Sequence, residues 1–368
     1  MLSVDHKYVN EIRLATEFAK RRDVNSSVPL QQLRDSLHRA MRLEASTIPP
    51  YLVAGWSIQK SEGFQNLEIR DLILGIAREE MLHMMAIMNI IAALGEPPKI
   101  ATNDIVLCWG EDQLPVGGGV IPMLAPFSET LLTTLFMKIE EPADPVHYVV
   151  RENFLVAHQL DHGTIGEFYA ALIELIRSFE VDPFLGGARY PQVRLDADPR
   201  IGLIGHAPID DFEVNSSSQA IRLLEWIVGQ GEGTPKNPLD GDGLPAHYYR
   251  FAEIYKKGRL VAANDDPLGY VYDRVSAPII CDYTKVSQFA PNPKMRDFTE
   301  GSVEWRGLKK FNNSYTTMFK NLQEFYSSGN TQFITDSVNS MNTMADVGNR
   351  LITGVHPAVC PSFEWLPV

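Results

Sequence analysis

Cysteine is scarce in this chain of 368 residues: Cys108, Cys281 and Cys360 stand far apart and are odd in number. Their spacing excludes a disulfide framework and a Cys-x-x-Cys metal site, so reduced, packed thiols are expected. Positive charge is also short. A net charge of -13, with no basic patch, repels phosphate backbones and anionic lipid, which argues against nucleic-acid and membrane-surface partners. No apolar run reaches the ~18 residues of a membrane span, and the start, "MLSVDHKYVNEIRLATEFAKRRD", has no apolar leader core. A cytoplasmic location is therefore expected. Strand-like alternation is sparse and no tandem repeat is present. "DGDG" at 240–243 has the look of a calcium loop, but Phe251 stands where the closing carboxylate is required. Gly117 to Gly119 lack the Lys-Ser/Thr that a phosphate loop needs.

What remains is a soluble composition, 45% hydrophobic and 21% charged, and long helical patterns. The expected class is mainly α. Periodicity predicts helices over about 29–60, 67–94, 128–140, 150–178, 217–257 in two pieces, 307–328 and 331–354. The Pro49-Pro50 pair should bend or interrupt the first of these. A four-helix core from 29–60, 67–94, 150–178 and 217–257 follows. Residues 1–260 read as a bundle with loop insertions, and 261–368 as a C-terminal loop and helical hairpin packed on it. The Pro/Gly-rich stretches 96–127, 179–215 and 258–300 read as covering or substrate-binding loops, with Trp109, Phe184 and Tyr190 as aromatic contacts in the first two.

Two helices carry polar residues where the core should be. Leu33, Leu37, Met41 and Glu44 share one face, and Glu80 and His83 lie on the stripe of Ile73, Ile76, Ile87 and Ile91, with Glu79 off it. A buried carboxylate needs a proton, a cation or a metal. A salt bridge from Glu80 to Arg78 or Arg42 would meet that need for one residue, whereas a metal also accounts for the histidine. Glu80-x-x-His83 projects both side chains one way, so Glu80 can bridge two ions, and carboxylate and imidazole donors suit iron or manganese. His158 and His162 form an i, i+4 pair that could bind a metal, but on an amphipathic helix they read as solvated or hydrogen-bonded. Met81, Met84, Met85 and Met88 read as adaptable core filling.

"LEASTIPPYLVAGWSI", "GIAREEMLHMMAIMNIIAALGEPP", "IEEP", "TIGEFYAAL", "IVGQGEG", "HYYRF" and "PSFEW" occur in this order. Together they resemble the ferritin-like family typified by the iminophenyl-pyruvate dimer synthase domain of the violacein pathway, over about 27–366. The resemblance implies a ferritin-like four-helix bundle with two iron ions, manganese being the alternative. It adds Glu167, Glu232 and His247 to Glu44, Glu80 and His83 as metal ligands, with Glu140 and His162 in reserve. It also implies an oxidase or oxygenase that uses dioxygen on a small amino-acid- or imine-derived substrate in specialised metabolism. The competing reading is iron handling, ferroxidase-like, or a di-manganese catalase-like protein. The long loops favour the enzyme, and homo-oligomer formation is left open.

Overall fold

The computed structural model describes residues 4–20, 27–60, 64–142, 164–185, 190–201, 212–233, 237–264 and 266–367. It is mainly helical, as expected. The helices are α1 (Val4–Lys20), α2 (Ser27–Ser57), α3 (Phe64–Ala93), α4 (Glu129–Leu131), α5 (Met137–Ile139), α6 (Ile165–Ser178), α7 (Ser217–Gly231), α8 (His247–Lys256), α9 (Val303–Ser328) and α10 (Gln332–Thr353). A π-helical turn, Leu132–Phe136, joins α4 to α5.

The α2–α3 pair is the backbone of the core. Arg34 at the start of α2 donates to the Leu94 carbonyl just past α3, and Arg70 near the start of α3 donates to the Gly55 and Ile58 carbonyls at the end of α2. The helices are therefore antiparallel. They approach closely at Gly55, where a Cβ would stand 2.6 Å from the Leu74 side chain. The proline pair does not interrupt α2, which runs unbroken from Ser27 to Ser57. Pro49 and Pro50 remove the N–H groups that the Ala45 and Ser46 carbonyls would accept from. Packing along α3 holds the helix through this gap.

α1 packs on α6 and α2, and α6 on α7. The predicted 150–178 helix is represented by α6, while 150–163 lies outside the described residues. α9 and α10 form a hairpin in which Gly307 lets the helices meet, a Cβ there falling 2.6 Å from Leu351. This hairpin docks on α2. Gly348 lies against the Trp56 ring, and Phe363 of the closing segment stacks on the same indole at 6.3 Å.

The stretch 258–300 departs from the expected loop. β1 (Gly258–Ala262) and β2 (Tyr270–Pro278) pair antiparallel, Leu260 facing Tyr272. Leu260 and Tyr272 bury with Ala246, Tyr249 and Ala252 in a small second cluster. Five residues of strand alternation in β1 are too few to stand out against neighbouring helices.

Candidate metal centre

Five of the buried polar groups converge from four segments. α2 supplies Glu44, α3 supplies Glu80 and His83 one turn apart, the end of α5 supplies Glu140, and the first residue of α8 is His247. All are less than 7% exposed, His247 completely enclosed. His83 Nδ1 lies 3.6 Å from both Glu44 Oε2 and Glu80 Oε1. His247 Nδ1 lies 2.8 Å from the same Glu80 Oε1 and 3.5 Å from Glu140 Oε2. Glu44, Glu80 and His83 form one group that could hold a metal ion, and Glu80, Glu140 and His247 form another, the donor atoms of each lying within 4.8 Å of one another. Glu80 is common to both. The imidazole rings face each other across the pair, 5.6 Å apart and 24° from parallel.

A second layer fixes these groups. Each histidine turns Nδ1 inward and Nε2 outward: His83 Nε2 meets Gln230 Oε1 at 2.9 Å, and His247 Nε2 meets Glu79 Oε2 at 2.8 Å. Glu79 is held in turn by Arg250, at 2.8 Å and 3.1 Å, and Arg250 also faces Asp240 at 3.8 Å. Asp240 belongs to the "DGDG" stretch, where its Oδ1 accepts from the Asp242 and Leu244 backbone N–H groups at 2.9 Å each. That turn delivers the chain to His247. Tyr51 donates to Glu140 at 2.6 Å, Tyr169 donates to Glu44, and Thr47 donates to Glu80 at 3.2 Å.

A cavity of about 30 Å³ lies among these side chains, walled by Ile139, Ile165, Ile227 and Val228 and lined by four carboxylates: Glu44, Glu80, Glu140 and Glu232. Without a cation they disturb one another. Burial, then the Glu80 charge, pushes Glu44 up to about 8. The same two causes raise Glu140. Burial opposes a charge on His83, but Glu80 and Glu44 overcome it and push the imidazole up to about 10. Burial would also raise Glu79, yet His247 and Arg250 hold it down at about 2. Two divalent cations would neutralise the four lining carboxylates, with Glu79 already matched by Arg250. The donor set of oxygen and imidazole nitrogen, the charge and the shared carboxylate therefore fit a pair of hard or borderline ions.

Of the residues expected from sequence, Glu44, Glu80, His83 and His247 come together, and Glu232 lines the same cavity at the C-cap of α7. The Glu232 carboxylate lies over Gly166, where a Cβ would approach it to 2.2 Å. Glu167 is the correction. It is exposed at the first turn of α6, where its carboxylate accepts from the Thr164 N–H at 3.2 Å and closes a capping box. Glu140, held in reserve, stands in the cluster instead. His162, the other reserve, and His158 lie outside the described residues. Trp109 and Phe184 are core residues, 2% and 1% exposed, and Tyr190 packs against the core, so none lines this cavity. Sequence reading missed Glu79, Gln230 and Arg250, and also Thr47 and Tyr51. The last two had a signal, standing three and seven residues after Glu44 on its helical face. The alternative salt bridges from Glu80 to Arg78 or Arg42 are absent among the described residues.

Comparison with known proteins adds three findings. A match to the ferritin-like family covers residues 37–256, more than half of the chain. Dichlorochromopyrrolate synthase of Lentzea aerocolonigenes is 26% identical over 213 residues, which are 53% of this chain and 19% of that protein. The chain thus spans about a fifth of the length of this relative. A crystal structure of a ferritin-like protein from Caulobacter vibrioides is similar with a TM-score of 0.48 and 19% identity, over 86% of this chain and 95% of that one.

Proposed function

The chain belongs to the ferritin-like family, and on that footing we propose that it is a dinuclear metal enzyme, using iron and dioxygen to oxidise a small amino-acid- or imine-derived molecule. The observation that carries this reading is the pair of Glu/His groups sharing Glu80. Glu44 and His83 would hold one ion, Glu140 and His247 the other, with Glu80 between them and Glu232 as a further ligand. Two ferrous ions held there would lend two electrons to dioxygen, which oxidation of the substrate would restore. The protein's part is positional. Tyr51 and Tyr169, donating to Glu140 and Glu44, hold those carboxylates in one orientation. Gln230 and Glu79 direct the Nδ1 atoms of the two histidines inward. Ile139, Ile165, Ile227 and Val228 make part of the cavity wall apolar. The similarity to a protein named as a synthase supports biosynthetic chemistry over iron storage.

Metal analysis of protein purified without added metal tests the first part. Two ions per chain are expected, both weakened by Glu80→Ala. A single ion, or loading that ignores Glu80→Ala, would refute the shared site. Oxygen uptake by the iron-loaded, reduced protein with aromatic amino acids and their imines tests the second. Peroxide disproportionation by a manganese-loaded form, with no oxygen uptake by the iron form, would favour the catalase-like reading.

A further inference from the structure

On the far side of the α2–α3 pair from the metal centre lies a much larger cavity, about 440 Å³. The two are back to back. Glu44 and His83 face the metal centre, while their neighbours Ala45 and Met84 line the large chamber. α9 and α10 close its other side with Phe319, Leu322, Val338 and Met341. Native cores leave few voids larger than a water molecule. A chamber of this size is instead within the range of small-molecule sites, and its lining forfeits dispersion contacts as long as nothing fills it. Three of the four methionines in the α3 cluster, Met81, Met84 and Met85, lie on its wall, joined by Met318, Met341 and Met344 from the opposite hairpin. Flexible thioethers on both walls suit an apolar guest of adaptable shape.

The polar features are few and of one sign. Arg78 and Arg200 are the only ionised side chains on the lining among the described residues. Arg200 is occupied, donating to Asp198 at 2.7 Å and to Asn339 at 2.9 Å. Arg78 is exposed and has no ion-pair partner among the described residues. Among the described residues, one guanidinium is thus left without a charged partner at an apolar chamber. Deeper in the lining, Tyr315 is 3% exposed and its hydroxyl has no hydrogen-bond partner among the described residues.

We propose that this chamber is a second ligand site, separate from the metal centre, for a small apolar molecule carrying one carboxylate: the apolar body lies between the methionine walls and the carboxylate pairs with Arg78. The proposal is independent of the metal reading, because no residue of the metal cluster lines the chamber.

Decanoate is a suitable probe, with octanoate and dodecanoate for length and decanol and decylammonium for charge. Titration calorimetry on the metal-loaded protein and on the chelated protein should give one saturable decanoate site per chain with the same affinity in both. Affinity should rise by about fourfold per added methylene until the chamber is filled. Arg78→Gln should weaken decanoate about fivefold while leaving decanol unchanged. Ala345→Phe, which projects a ring from α10 into the chamber, should abolish saturable binding. If that variant does not fold, the Arg78→Gln and probe-charge comparisons decide. Absence of saturable binding, equal affinity for decylammonium and decanoate, or loss of binding on chelation would each overturn the proposal. The last result would put the carboxylate on the metals.

Discussion

Glu79 and Glu80 are adjacent in sequence and point about 100° apart around α3. Glu80 reaches both histidines from inside the cavity, whereas Glu79 reaches the outer nitrogen of His247 and carries that contact on to Arg250. Such an outer carboxylate selects the tautomer and sharpens the basicity of the inner nitrogen. Glu79→Gln keeps a hydrogen-bonding side chain but removes the charge that Arg250 answers. It should weaken one of the two metal sites by about 10- to 100-fold and leave the other nearly unchanged. Stepwise competition with a chelator measures the two affinities separately, and equal losses at both sites would contradict the assignment. The stripe on α3 made Glu80 and His83 legible in sequence because burial on an amphipathic helix has a period. Glu79 was not legible, since what buries it is α8, more than 160 residues away, and no local pattern reports that.

At the scale of elements, the structure brings Glu140 and not Glu167 into the cluster. The short α4–α5 segment, with its π-helical turn, ends at Ile139 and presents Glu140 to His247 and Tyr51. Both candidates sit at helix ends, where periodicity is weakest as a guide, and "TIGE" was equally a capping signature. The two roles separate by experiment. Thr164→Ala should destabilise the protein by about 1 kcal/mol by removing the α6 cap, and Glu167→Ala should likewise act on thermal stability alone. Metal content should stay at the unsubstituted level in both. Glu140→Ala should do the reverse, lowering metal content in a protein that still folds. A fall in bound metal on Glu167→Ala would restore it as a ligand. The long helices α2, α3, α9 and α10 were legible because many turns reinforce one pattern. The β1–β2 hairpin was not, its strands being short and stabilised by α8.

For the molecule as a whole, the cluster couples folding to protons and, with the ions of the proposed site bound, to metal. In the metal-free chain the native state holds protons that the unfolded chain would release. Glu44 is raised from 4.5 to about 8 and His83 from 6.5 to about 10, and Glu140 and His247 shift in the same direction. A group raised in the folded state contributes stability that is complete below its unfolded value and is lost as pH climbs through its folded value. Glu79, held down at about 2, and Glu80, held well below the usual carboxylate range against burial by His83 and His247, act oppositely, but their contribution is already complete above the ordinary value of 4.5. Between about pH 5 and pH 9 the raised groups therefore set the slope, and metal-free protein should lose thermal stability as pH rises. Two bound cations would take the place of those protons. The loaded protein should then be more stable throughout and nearly flat over the same range, and loading should release protons into a weakly buffered solution. Melting temperatures measured across this range with chelator and with metal give both slopes. Parallel curves would mean that Glu44 and Glu140 keep their protons when metal is present, which is incompatible with their acting as ligands.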